Sequence, residues 1–246
     1  MTRHCVIGKR MGKTASARLV EQLIIGGVIG AVLSFMLVRF GWHQSSVFAR
    51  NVNHFDYDVE WNRVAPSLLL WFLFFSYWAV ASRNSAPTKT AESPLSTSFH
   101  QVVLMLALVL LFWSVPGLSG WFLPQKFHFL VAIGVVIQAA FAVLGVWARR
   151  HLGRNWSGEV RIGEGHELVR TGPYHVLRHP IYTAMLGMFV GTAIASSQYH
   201  AIVGLAIVTV AYLRKTRLEE QILHQTFGTE YAAYQKTTWA LVPFFF

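Results

Sequence analysis

Residues 178–220 read RHPIYTAMLGMFVGTAIASSQYHAIVGLAIVTVAYLRKTRLEE. From Ile181 through Leu213 there is no Lys, Arg, Asp or Glu. One straight helix over that run would be about 50 Å long at 1.5 Å per residue, well beyond a hydrocarbon core of about 30 Å. The polar Ser196-Ser197-Gln198 at its middle is the natural turn, so the run reads as a helical hairpin. Its arms are short, and a shallow or re-entrant hairpin is the alternative. Pro180 disfavours helix at His179 and suits a first helical position, which puts His179 at the N-cap. After Leu213 the second arm continues as a helix leaving the membrane, where Lys215 and Glu219, one turn apart, share a face.

Working outward, four further segments are long enough to cross a bilayer, which takes about 20 apolar residues: Leu19–Phe40, Val64–Ser82, Phe99–Leu118 and Phe127–Ala148. With 54% hydrophobic and 13% charged residues in a chain of 246, against roughly 25% charged in soluble domains, the fold class is all-α, a polytopic membrane protein of about six transmembrane helices. The first span carries no small-residue cleavage site after it and reads as a retained helix. The one cysteine, Cys5, excludes a disulfide framework and a cysteine-based zinc site. Gly187 and Gly191 form a small-residue face suited to close helix packing.

The net charge of +10 is a topology signal. With the N-terminus inside, all basic residues except Arg39, Arg50, Arg63 and Lys126 fall on the cytosolic side, as the positive-inside rule expects. Both termini are therefore expected in the cytosol, in a bacterial inner membrane or endoplasmic reticulum. Nucleic-acid binding is excluded, and membrane lipids are the expected surroundings. The chain divides into an N-terminal scaffold of three spans, residues 1–126, and a region of different character, residues 127–246.

Chemistry concentrates in the second region. Gly172-Pro173 is a turn, and Arg178 stands beside His179 at the membrane surface. Taken alone, Arg178 is a snorkelling residue, Glu219-Glu220 is a solvated helix face, and Tyr231 and Tyr234 are amphipathic packing. His175 and His179 are four apart, but Pro180 interrupts any shared helix there, so no metal site is expected.

Together with their order and spacing, His166-Glu167-Leu168-Val169, Gly172-Pro173-Tyr174, Arg178-His179-Pro180-Ile181-Tyr182, Glu219-Glu220, Phe227-Gly228-x-x-Tyr231-x-x-Tyr234 and Val242-Pro243 resemble the isoprenylcysteine carboxyl methyltransferase family. These membrane enzymes use S-adenosylmethionine and are related to phospholipid methyltransferases. The resemblance covers roughly residues 130–246. It implies a methyltransferase-like catalytic region at 127–246, with a cytosolic cofactor pocket capped by the C-terminal helix. His166, Glu167, Leu168, Val169, Tyr174, His179, Pro180, Ile181, Tyr182 and Glu219 would be the cofactor contacts. The family has an arginine, facing the substrate carboxylate, where this chain has Lys215. Lysine is a point charge rather than a bidentate fork.

The expected reaction is methyl transfer to a lipophilic or small acceptor, a carboxylate of the isoprenylcysteine type or a thiol. Arg178 or Lys215 would hold the anionic acceptor and Glu219 would orient the cofactor, in a monomer. The acceptor would enter through a lipid-exposed gap between the hairpin and the fourth span. Glu220 is left to solvent. The alternative reading is an NADPH-dependent membrane reductase of the sterol-reductase type. A transporter would carry ionisable groups at mid-membrane, which these spans lack.

Overall fold

In the computed structural model the described residues are 57–82, 89–90, 93–113, 118, 120–123, 127–153, 161–162 and 168–243. The first expected span, residues 19–40, lies outside them. They form six α-helices: α1 (Tyr57–Ser82), α2 (Pro94–Phe112), α3 (Phe129–Leu152), α4 (Pro180–Ser196), α5 (Tyr199–Phe227) and α6 (Thr229–Gln235). A 3-10 turn spans Gly172–His175, and two two-residue strands, Lys89–Thr90 and Arg161–Ile162, pair antiparallel.

Helices α1, α2 and α3 are each long and apolar enough to cross a membrane, and α4 is a shorter apolar helix of 17 residues. Local chemistry sets the ends. Helix α2 starts earlier than hydropathy suggests, because the Ser93 side chain accepts from Ser96 N and Pro94 takes the first position. Helix α3 runs on past the apolar stretch, with Arg149, Arg150 and His151 in its last turn.

The hairpin is present. Helix α4 begins at Pro180 with His179 as N-cap and ends at Ser196, with Ser197 as C-cap, whose φ of 58° places a non-glycine residue in the left-handed region. The turn is tied down by the loop before α3: Phe122 N donates to Ser197 O (2.9 Å) and Tyr199 N to Gly120 O (3.1 Å).

In a membrane the hydrophobic effect does not drive helices together, so close packing and polar contacts must. Both are found here. A Cβ on Gly191 would stand 2.5 Å from Gly134 O and 2.6 Å from Gln138 N, and one on Gly187 would overlap the Phe141 ring. Gly145 lies against Phe74 and Ala184 in the same way. Helices α3 and α4 are therefore in contact along their whole crossing. On the side of its first arm, the expected lipid-exposed gap between the hairpin and the fourth span is closed, because the small-residue face there packs helix against helix. At the core Trp71, fully buried, donates through Nε1 to Thr192 Oγ1 (3.0 Å) and packs edge-on to Phe189. Helix α2 meets α5 where Gly204 approaches Ala107 O.

Candidate functional site

The polar centre of the molecule is built where α4 begins. Val176 to Thr183 cannot satisfy their backbone groups within one helix, since Pro180 breaks it, and the C-terminal segment supplies the partners. Arg178 N donates to Trp239 O (2.7 Å), His179 N to Ala240 O (3.1 Å), Trp239 N to Val176 O (3.0 Å) and Thr183 Oγ1 to Leu241 O (2.6 Å). Ala240 and Leu241 are buried in consequence.

Helix α5 brings two carboxylates to this N-cap. The Tyr182 hydroxyl donates to Glu219 Oε2 (2.7 Å), and His179 Nδ1 stands 3.3 Å from the same oxygen. On the other edge of the imidazole, Nε2 lies 3.4 Å from Glu220 Oε1, to which Arg178 Nε donates at 2.7 Å. His179 is thus clasped between two acids while only 3% of its side chain is exposed.

Burial works against the charged imidazolium, but hydrogen bonding and attraction to Glu219 and Glu220 outweigh it and raise the His179 pKa. Burial likewise disfavours the Glu219 carboxylate, yet His179, Tyr182 and the Lys215 charge lower its pKa. Glu220, against the same opposing burial, is held down to about 2 by His179 and Arg178. The result is a buried imidazole biased toward its charged form between two carboxylates, of which Glu219 is the more open, 28% exposed against 19%.

Two sequence readings change at this point. Glu220 is no solvated residue: it is half-buried and paired with Arg178. Arg178 is already engaged, because besides Glu220 its Nη1 donates to Thr238 O and to Gln235 O (3.3 Å). Its guanidinium fastens the C-terminal segment, a task that suits its fork of donors. Tyr231 and Tyr234 are buried in that fastening, with Tyr234 Oη donating to Tyr174 O (2.6 Å). Burial pushes the Tyr234 phenol up to about 12. Arg170 and Glu230 add an ion pair between the loop and α6.

Of the other expected cofactor residues, Tyr174 and Pro180 are buried and Leu168, Val169 and Ile181 half-buried. His166 and Glu167 lie outside the described residues. Lys215 is 3% exposed, on the α5 face that carries Glu219. An aromatic column extends this face toward the membrane: His179 and Tyr182 are parallel (centroids 5.4 Å apart), Tyr182 meets Tyr212 (5.0 Å), and Tyr212 meets His100 of α2 edge-on (5.5 Å). Sequence reasoning passed over Tyr212, although its position three residues before Lys215 marks it. It also passed over His100, whose partners are remote in the chain.

Several known proteins resemble this chain. Residues 129–230 match the family model described as phospholipid methyltransferase. The chain is 27% identical over 195 residues to protein-S-isoprenylcysteine O-methyltransferase A of Arabidopsis thaliana, covering 74% of this chain and 94% of the relative. The B form of the same plant is 26% identical over 190 residues, with the same coverage. A solved structure of the eukaryotic intramembrane Ras methyltransferase, an isoprenylcysteine carboxyl methyltransferase, aligns over 94% of both chains at 20% identity and a TM-score of 0.48. The reductase alternative draws no support from these relatives.

Proposed function

We infer that this chain is an integral membrane methyltransferase of the isoprenylcysteine carboxyl methyltransferase family. From that premise each residue of the site takes a task. The single observation that carries the reading is the ionised, partly open carboxylate of Glu219, held by Tyr182 and His179 one helical turn from a buried lysine.

The methyl donor is S-adenosylmethionine. The α-ammonium of its amino acid end fits the donor set present: an anionic oxygen at Glu219, beside Tyr182 and His179. When bound, the cofactor would supply a methyl group on its sulfonium, taken in line by the acceptor's nucleophile with the neutral thioether of S-adenosylhomocysteine as leaving group. Such a reaction asks for alignment above all, and positioning alone can supply up to about 7–11 kcal/mol in the best intramolecular cases.

Glu219 keeps its charge because Tyr182 donates to it and His179 stands beside it. Lys215 presents a positive charge in a setting with little water, where attraction to an acceptor anion is stronger than in bulk solvent. Arg178 acts indirectly, holding the C-terminal segment over the start of α4. The acceptor is lipophilic, carrying a carboxylate like the isoprenylcysteine named for the relatives, or a thiol. The site faces the cytosol, with both termini on that side, and one chain suffices to form it.

The test is calorimetric binding of S-adenosylhomocysteine and of NADPH to detergent-purified protein, alongside Glu219→Ala. Micromolar binding of S-adenosylhomocysteine that Glu219→Ala abolishes is the expected result. Binding of NADPH alone refutes the methyltransferase reading.

A further inference from the structure

The lower half of α5 sorts its charges by side. Lys215, Glu219 and Glu220 turn inward toward α4 and the C-terminal segment. Arg214 and Arg217 turn the other way and, with Val210, Leu213, Leu218 and Gln221, line a groove of about 380 Å3. These positions recur at three- and four-residue intervals, so they form one continuous stripe.

The stripe is graded along the helix axis. Val210 and Leu213 close the long uncharged run, Arg214 is the first charge after it, and Gln221 stands two turns further out. Hydrocarbon depth therefore gives way to head-group depth within the groove itself. The Arg214 guanidinium is oriented toward α2, donating to Ser96 Oγ (2.7 Å) with its centre 5.6 Å from the Phe99 ring centroid. Arg217 makes no ion pair among the described residues. Two like charges three residues apart on a helix repel, and Glu220, three residues beyond Arg217, is committed to Arg178. A ligand with an anionic head and apolar chains satisfies all of these features together.

We propose that this groove is a binding site for one anionic phospholipid, with its phosphate between Arg214 and Arg217 and an acyl chain along Val210 and Leu213. The site is separate from the methyl-transfer site, which opens on the other side of the same helix. Arginine suits the task because its planar donors match phosphate oxygens in pairs.

The experiment is native mass spectrometry of the full chain released from detergent with phosphatidylglycerol or phosphatidylcholine of matched acyl chains. The variants are Arg214→Gln/Arg217→Gln, Arg214→Lys/Arg217→Lys, and Arg150→Gln as an exposed basic control elsewhere. Basic residues at an anionic surface contribute about 5-fold each in affinity. The double glutamine variant should therefore lose phosphatidylglycerol retention by about 25-fold, with phosphatidylcholine unchanged. The lysine pair should lose less, and Arg150→Gln should match the parent. A melting curve in phosphatidylcholine confirms that each variant is folded, and the lysine pair keeps the comparison available if the glutamine pair does not fold. Equal retention of both lipids by the parent would overturn the proposal. So would unchanged retention by the double variant, or displacement of the lipid by millimolar inorganic phosphate, which would make the groove a free-anion site.

Discussion

Replacing Glu220 with Gln isolates one carboxylate without changing its shape. In the folded protein its pKa is about 2 rather than the usual 4.5. At about 1.4 kcal/mol per pH unit, that difference corresponds to roughly 3 kcal/mol of stabilisation at neutral pH. A pKa lowered by folding gives stabilisation that is complete above the unfolded value and is lost as pH falls through the folded one. The Glu220 contribution should therefore be full above pH 4.5 and disappear between 4.5 and 2. Glu220→Gln should lower the thermal midpoint at pH 7. It should also flatten the acid limb of the stability profile, since the group responsible for part of it is gone. Because Arg178 loses its carboxylate partner while keeping Thr238 O and Gln235 O, the C-terminal segment should loosen first. Chymotrypsin cleavage after Trp239 at pH 7, followed by mass spectrometry, reads that loosening directly. Equal midpoints, equal acid limbs and equal cleavage would refute the idea that the second glutamate fastens the tail.

Other substitutions probe the remaining joints. Gly187→Ala would drive a methyl group into the Phe141 ring and should destabilise by about 1–3 kcal/mol, with Phe141→Leu recovering part of the loss in a thermal-melt comparison. Lys215→Met should weaken transfer to an anionic acceptor such as N-acetyl-S-farnesylcysteine while leaving S-adenosylhomocysteine affinity within a few-fold, as measured by labelled-methyl assay and calorimetry; equal transfer rates would remove Lys215 from the acceptor's side. His179 has a raised pKa, so its contribution is complete below the unfolded value of 6.5 and fades as pH rises through the folded one. Protection of the tail from chymotrypsin should accordingly fall toward alkaline pH in the parent, and not in His179→Gln.

Particular residues show how far sequence carries. The turn at Ser196–Gln198 and the helix start at Pro180 were readable because each has a local cause: a polar break in an apolar run, and a ring that fixes φ. Glu219 was identified through its place in a motif. Glu220 was misread for a physical reason. Neighbouring residues on a helix point about 100° apart, so if one faces the site, its neighbour is assigned to solvent. That assignment fails here because Arg178, Thr238 and Gln235 cover the second direction, and they come from elements distant in the chain. The gap between the first arm and α3 failed similarly: the Gly187–Gly191 face was visible, but contact or opening depends on what meets it across the crossing.

The pairing of Thr183 with Leu241, separated by 58 positions, also bears on biosynthesis. The hairpin can enter the membrane while the segment that completes its N-cap is still unmade. At about 5–20 residues per second, several seconds separate insertion of α4 from arrival of its partners. During that interval the hairpin is already anchored while the start of α4 lacks its C-terminal partners. A chain cut short between residues 227 and 238 would carry every described membrane helix and lack the groups that partner Arg178, His179 and Thr183.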